Sequence, residues 1–572
     1  MLEREKAIQI SRITSAVILL MLAVGLYILN LAPGVVGTYH DDGIYVVTAK
    51  ALATGQGYKI ISLPEPLAQT KYPILYPFLL SLIWRVFPDF PGNLIYMKAL
   101  SVIATVLFLV LAYHFLIKFG YASKNLALAA VAAAAFLPGT LYFSGMILSD
   151  MPYALIAIAV LYLLELHDQN SDPPYQYLIL AAALAGLACL TRSVGMALSL
   201  AAFLYFIYQR RPKQAVLFLA IVILIMGPWL LWARSHAPQA FRSQVEIYYS
   251  SYTQWVFEYL GASPLNKLLN VFAKNMVYSL ANFGAQVFPL ISYLPVFPLF
   301  VLRMEILPGL PTLLCLFGLA GVGTGALMWI RKTSNKIRRL DFYLLVYVLN
   351  ILIWPWPHSE RFLVVIFPFA FLYMLRFMNA LLKLCFFPLP EPQKQKWIHA
   401  LLMVVAFTSV LSNLSVDISG VIETRKYGWS FDPAKPHPGI PWTEMLELFA
   451  QIRSRTPPQS VLACLDDPMT YLYTERRAIS HHALNPIRSF YEPQRTRVIG
   501  GSPEEIFNNL KIYKIDYLIF QPRQERATHQ HLKVLLAKYP ELLAPQFMTK
   551  SQRILVFKVN STVIAGAAMA KP

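Results

Sequence analysis

Eleven apolar runs, each roughly 17 to 25 residues long and so able to cross a bilayer as a helix, recur along the first 420 residues. They lie near 13–33, 95–117, 125–143, 151–166, 176–191, 193–208, 214–232, 308–330, 340–356, 362–382 and 397–417. A chain of 572 residues could otherwise hold several soluble domains, but 57% hydrophobic and only 14% charged residues exclude that reading. The mean hydropathy of +0.51 agrees. The expected fold is therefore a polytopic α-helical membrane protein of about 11 transmembrane helices. The opening MLEREKAIQISR runs into the first apolar stretch without a small-residue cleavage site, so that stretch is expected to be a retained span.

The net charge of +19 would suit a nucleic-acid binder, yet a multispan protein gathers Lys and Arg in its cytoplasmic loops. Four connections are basic: Lys118 and Lys124; Arg210, Arg211 and Lys213; Arg331, Lys332, Lys336, Arg338 and Arg339; and Lys383, Lys394 and Lys396. They set these connections, and with them the N-terminus, in the cytoplasm, and no nucleic-acid partner is expected. The acidic loop LHDQNSDPP (166–174) dissents. VFPLISYLPVFPLF (287–300), with three prolines, is taken as interfacial because a further span there would put the 331–339 cluster outside. Four scattered cysteines without a CxxC pair indicate neither a disulfide framework nor a zinc site.

Beyond residue 420 the pattern becomes that of a soluble domain. SVLACL, DYLIF and ILVFKV have the character of buried strands; TEMLELFAQIRS, a segment opened by a Ser502-x-x-Glu505 capping box, and HLKVLLAKY have that of helices. The chain thus divides into a membrane domain, 1–420, and a small extracytoplasmic α/β domain, 421–572. The domain is basic by 20 residues to 13, which suits anionic lipid headgroups or a plain solvated face.

With this topology Asp41, Asp42, Lys71, Asp150, Arg192, His358, Glu360 and Arg361 all fall on the non-cytoplasmic side. Carboxylates and fixed cations at the membrane boundary suit transfer of a group from a lipid phosphate to a hydroxyl. Arg and Lys hold phosphate, a carboxylate takes the hydroxyl proton, and the cations stabilise the leaving phosphate.

Five motifs carry a family resemblance: HDDGIYVVTAKALATGQGY (40–58), TKYPILYPFLLSL (70–82), LSDMP (148–152), LACLTRS (187–193) and HSERFLVVIFPF (358–369), with DDPMTYLYTERRA (466–478) in the C-terminal part. In this order they resemble the GT-C glycosyltransferases of the protein O-mannosyltransferase and aminoarabinose (lipid A) transferase type. The resemblance implies Asp41 as catalytic base, Asp150 as a second acidic catalytic residue, Asp42 and Tyr45 as supports at the substrate, and Lys71 and Arg361 as holders of a polyprenyl phosphate. Two departures stand out: Tyr72 occupies the place of the first proline after the lysine, and Asp42 a place where glutamate is common.

Arg192, His358 and Glu360 complete the expected substrate-binding set. Each also has a plainer reading: solvation of a hairpin for Arg192, and interfacial partners of Arg361 for His358 and Glu360. Asp41 and Asp150 could likewise be helix caps, and Lys71 a snorkelling side chain. Glu475, Arg476 and Arg477 have the character of a solvated helix end, and YYSSYTQWVFEY (248–259) that of an interfacial aromatic belt.

The expected protein is a multi-pass inner-membrane enzyme of the cell envelope. It moves a monosaccharide from a polyprenyl-phosphate donor, with inversion, to a hydroxyl of a lipid, glycan or protein acceptor on the extracytoplasmic side. No metal ligand set and no firm cofactor are implied; a divalent cation stays an option. The rival reading is a transporter or flippase of a lipid-linked saccharide, against which stands the absence of repeated halves in the sequence.

Overall fold

The computed structural model describes residues 2–169, 174–261, 263–287, 337–356, 360–385, 390–433, 440–483, 490–491, 501–521 and 526–569. The expected span at 308–330, the interfacial stretch past Val287, Arg331, Lys332, Lys336 and the expected site residue His358 lie outside them.

Where the sequence has its first apolar runs, the chain forms helices α1 (Leu2–Leu29), α4 (Leu94–Lys118), α5 (Lys124–Ala135), α6 (Pro138–Ser144), α7 (Asp150–Asp168), α8 (Tyr175–Thr191), α9 (Gly195–Tyr208) and α10 (Pro212–Ser235). Among the described residues four helices are long and apolar enough to cross a membrane: α4, α7, α10 and a later helix, Glu391–Tyr427. The stretch expected as a span at 125–143 is formed by α5 and α6, which are bent by 62° at their junction. Pro138 is the cause. It has no N–H to continue the ladder of α5 and disfavours a helical residue before it, but suits a first turn, and Leu137 is extended.

Two stretches expected as loops carry structure. The 34–94 segment forms α2 (Asp41–Ala53), a short antiparallel pair β1 (Lys59–Ile60) and β2 (Leu67–Ala68), and α3 (Leu75–Val86). The segment after α10 forms α11 (Gln244–Ser250), α12 (Tyr252–Leu260) and α13 (Pro264–Val287). Apolar and polar residues alternate with helical period along α13, burying Val271, Asn275, Leu280 and Phe283. Asn275 donates to the carbonyls of Leu352 (3.1 Å) and Trp354 (2.8 Å), closing the end of α14 (Arg339–Ile353). Then come α15 (Glu360–Val364), α16 (Phe367–Cys385) and α17 (Glu391–Tyr427), the last continuing past residue 420 without a break.

The C-terminal part holds a five-stranded sheet in the order β4-β3-β5-β7-β6, formed by β3 (Val461–Ala463), β4 (Arg477–Ile479), β5 (Tyr517–Phe520), β6 (Leu543–Met548) and β7 (Leu555–Val559). The strands β4, β3 and β5 are parallel; β7 and β6 add antiparallel. The helices of this part are α18 (Trp442–Arg455), α19 (Asp467–Thr474), α20 (Pro503–Ile512), α21 (Arg526–Lys538) and α22 (Ser561–Met569). Only half of the expected capping box forms at α20: Ser502 accepts from Glu505 N–H (3.1 Å), but the Glu505 carboxylate takes the Ala483 N–H instead (2.8 Å).

Arg476, expected in a solvated helix end, is buried and donates to the carbonyls of Thr474, Arg453 and Thr456. Arg477, beside it, opens β4. This sheet is not remote from the helices. Ala478 N–H donates to Ser62 O (2.8 Å), and one continuous apolar core runs from Ala23 to Ile564.

Asp168 of the dissenting acidic loop ends α7. Asp168 binds Arg211 (2.9 Å) and, through both oxygens, Arg339 (2.7 and 2.9 Å). Its charge is neutralised by the arginines of two connections expected in the cytoplasm. Asp150 begins the same helix, about 28 Å away along 19 residues, so α7 separates two ionic clusters, one at each end.

Candidate active site

Asp150 starts α7, Asp41 starts α2, Arg361 lies in the first turn of α15 and Arg192 closes α8. Three of the four signs follow the helix dipoles, both carboxylates being at helix N-termini and Arg192 at a C-terminus. These four residues meet. Arg361 Nη1 donates to Asp41 Oδ2 (2.6 Å) and Arg361 Nε to Asp150 Oδ2 (2.7 Å), while Arg192 donates to Asp150 Oδ1. Tyr72 donates its hydroxyl to the remaining oxygen of Asp41 (2.5 Å). The side chains of Asp150 and Arg361 are 1% and 7% exposed, whereas that of Asp41 is 18% exposed, so Asp41 is the carboxylate open to a visitor.

Neither carboxylate caps its own helix; each is spent on guanidinium groups from elsewhere. Burial by itself would push the Asp41 carboxyl up. The Arg361 charge and the hydrogen bonds from Tyr72 and Arg361, helped by Lys71, outweigh it and hold the group at about 2.

Lys71 is buried beside this cluster. Its Nζ donates to Tyr248 O (2.7 Å) and lies 4.0 Å from the centre of the Tyr248 ring. Burial brings its pKa down to about 8, against the pull of Asp41. Tyr45 reaches the cluster from beneath, its hydroxyl 3.1 Å from Ser149 Oγ and its ring edge-on to Tyr72 at 5.3 Å.

Two expected site residues are placed elsewhere. Asp42 accepts from Gly37 N–H (2.7 Å) and Tyr39 N–H (3.0 Å), so its carboxylate shapes its own turn rather than facing a substrate. Glu360 is adjacent in sequence to Arg361, but the guanidinium pairs with Asp41 and Asp150. The Glu360 carboxyl points toward Gly139 and the negative Asp432; burial, then Asp432, pushes its pKa up to about 7.

A second polar group escapes sequence reasoning. Asp467, at the start of α19, accepts from Tyr249 (2.7 Å) and lies 3.1 Å from His40 Nε2. His40 precedes Asp41 and holds a left-handed φ of 65°, a conformation costly outside glycine. The approach of α19 depends on small residues: a Cβ on Gly37, whose φ is +93°, would lie 2.5 Å from Met469 Cβ, and one on Gly43 would lie 2.7 Å from Pro468 Cβ. Tyr248 and Tyr249, expected in an aromatic belt, are thus buried between Lys71, His40 and Asp467. The only signal for this in the sequence is the pair of acidic dipeptides, Asp41-Asp42 and Asp466-Asp467. Among the described residues no group of three or more His, Cys, Asp or Glu side chains converges as a metal site would require.

The arrangement of helices is the GT-C fold, as the sequence motifs led us to expect, in a multi-pass membrane protein. More particularly, residues 71–232, under a third of the chain but including Lys71, Asp150 and Arg192, match the family model described as dolichyl-phosphate-mannose-protein mannosyltransferase.

The oligosaccharyltransferase AglB from Archaeoglobus fulgidus, in complex with an inhibitory peptide and a dolichol-phosphate, is similar over 95% of this chain and 74% of its own, with a TM-score of 0.55 and 12% identity. Its apo form aligns over 93% and 73%, with a TM-score of 0.56 and 13% identity. ArnT from Cupriavidus metallidurans bound to undecaprenyl phosphate aligns over 96% and 98%, with a TM-score of 0.47 and 15% identity. At such identities the likeness is one of fold. No curated protein matches the sequence.

Proposed function

We propose that the protein is an inverting glycosyltransferase that takes a monosaccharide from a polyprenyl-phosphate donor to an acceptor hydroxyl at the extracytoplasmic face of the inner membrane. The observation that carries this reading is the sharing of one guanidinium, Arg361, by Asp41 and Asp150, with Arg192 and Lys71 beside them. Three cations and two carboxylates leave one net positive charge for a phosphodiester. The ionic cluster at the other end of α7 belongs to the cytoplasmic side, with the N-terminus, and the C-terminal α/β domain, 421–572, to the outside.

In the reaction the donor phosphate engages Arg361 and Lys71. Arg361 then neutralises Asp41 less completely, and the carboxylate becomes a stronger base. Asp41 takes the proton of the acceptor hydroxyl as its oxygen attacks the anomeric carbon. The bond from that carbon to the phosphate oxygen breaks, and the lipid phosphate leaves with the electron pair, stabilised by Arg361 and Lys71. Attack opposite the phosphate inverts the anomeric centre. Asp150, locked between two arginines, holds Arg361 in place.

The test is release of lipid phosphate from radiolabelled polyprenyl-phosphate monosaccharides, mannose first, by purified protein supplied with membrane acceptors. Asp41→Asn is expected to fold and to lose transfer. Activity within a few-fold of wild type in that variant refutes the assignment, and a protein that moves the donor across vesicles without consuming it is a flippase.

A further inference from the structure

Tyr72 stands where the resembling motif has proline, so its hydroxyl is a feature of this chain rather than of the motif. It donates to Asp41 Oδ1 at 2.5 Å. Little freedom is left to it. Its N–H donates to Gln69 Oε1 (3.1 Å), its carbonyl accepts from Tyr58 (2.9 Å), its ring packs edge-on to Tyr45 and only 4% of the residue is exposed.

The two donors on Asp41 differ in what else they serve. Arg361 is also bound to Asp150 and carries the charge that attracts phosphate; a ligand phosphate draws its guanidinium away. A phenol carries no charge, so phosphate competes for it weakly, and its bond to the carboxylate survives donor binding. We propose that Tyr72 is a positioning residue of the transfer reaction: its hydroxyl fixes the rotamer of Asp41 while Arg361 is engaged by the donor phosphate.

This rests on Asp41 being the base. The groups facing Asp41 are Arg361 from α15, Tyr72 and Lys71 from the loop before α3, and Tyr45 from α2, with Asp150 and Arg192 joined through Arg361. Of these Tyr72 is the neutral donor on Oδ1, and it favours the ionised carboxylate.

The experiment is steady-state transfer from a polyprenyl-phosphate mannose probe, or whichever monosaccharide probe the protein consumes, by wild type, Tyr72→Phe and Asp41→Asn. Tyr72→Phe is expected to lower kcat about 10- to 100-fold with the donor KM unchanged, and to move the acidic limb of the pH profile upward. A kcat and acidic limb in Tyr72→Phe within twofold of wild type overturn the proposal, as does a loss of kcat with an unmoved acidic limb. Transfer by Asp41→Asn itself overturns the underlying reading instead. If Tyr72→Phe does not fold, 3-fluorotyrosine at position 72 keeps shape and hydroxyl and, as a stronger donor, moves the acidic limb downward; an unmoved limb counts against Tyr72.

Discussion

Arg361 Nε lies 2.7 Å from Asp150 Oδ2, a contact between residues 211 positions apart that ties α15 to the start of α7. Because Arg361 also holds Asp41, Arg361→Ala takes a cation from both carboxylates, leaving the buried Asp150 to Arg192 and the partly exposed Asp41 to Tyr72. It is expected to cost about 3–5 kcal/mol, seen as a lowered unfolding temperature in detergent. Arg361→Lys restores charge but cannot bridge both acids, and should recover part of the stability without the transfer. An unchanged unfolding temperature in Arg361→Ala speaks against the bridge.

Lys71 has a pKa lowered by burial to about 8, below its ordinary 10.5. Protonation is therefore harder in the fold than in the unfolded chain, and stability from this residue rises with pH between those values. The charge that holds phosphate is lost in the folded protein as pH rises through about 8. Affinity for a polyprenyl phosphodiester is expected to fall above about pH 8 and to stay level in Lys71→Arg; equal pH dependence in both proteins rules out this role.

Glu360 shows the opposite linkage. Burial, then Asp432, raises its pKa from 4.5 to about 7, so the folded protein holds a proton that the unfolded chain releases. Stability falls as pH rises through that interval. Glu360→Gln should unfold at a higher temperature than wild type near pH 8 and at the same temperature near pH 4. A variant that gains equally at both refutes the assignment.

Asp467 and His40 join the sheet-bearing part of the chain to the turn before Asp41. Asp467→Ala and His40→Ala are each expected to reduce transfer, and their effects should be non-additive by about 1 kcal/mol or more. Strict additivity in a double-mutant cycle means that the pair is not coupled.

Asp168 provides the contrast. Its removal takes the carboxylate from Arg211 and Arg339 and should destabilise the protein, yet transfer per folded molecule is expected to remain within about twofold, because the residue lies a helix length from Asp150. A selective loss of kcat in Asp168→Ala contradicts the assignment of the site to one end of α7.

Hydrophobic period and charge asymmetry, properties of the sequence alone, determined that the chain is helical and lies in a membrane, while five short motifs carried its resemblance to GT-C enzymes. They also singled out Asp41, Asp150, Arg192 and Arg361, since ionisable residues at the ends of apolar runs are conspicuous. Where a side chain points is another matter. Asp41 and Asp42 are neighbours of the same type, and only the turn through Gly37 and His40 sends one to Arg361 and the other to backbone N–H groups. Likewise Tyr72, Tyr248, Tyr249 and Asp467 acquired their partners when α11 and α19 packed against the 37–42 turn. Those pairings span up to 427 positions of sequence, and no local pattern encodes them: a hydrogen bond is decided by where packing brings its two ends, not by either end alone.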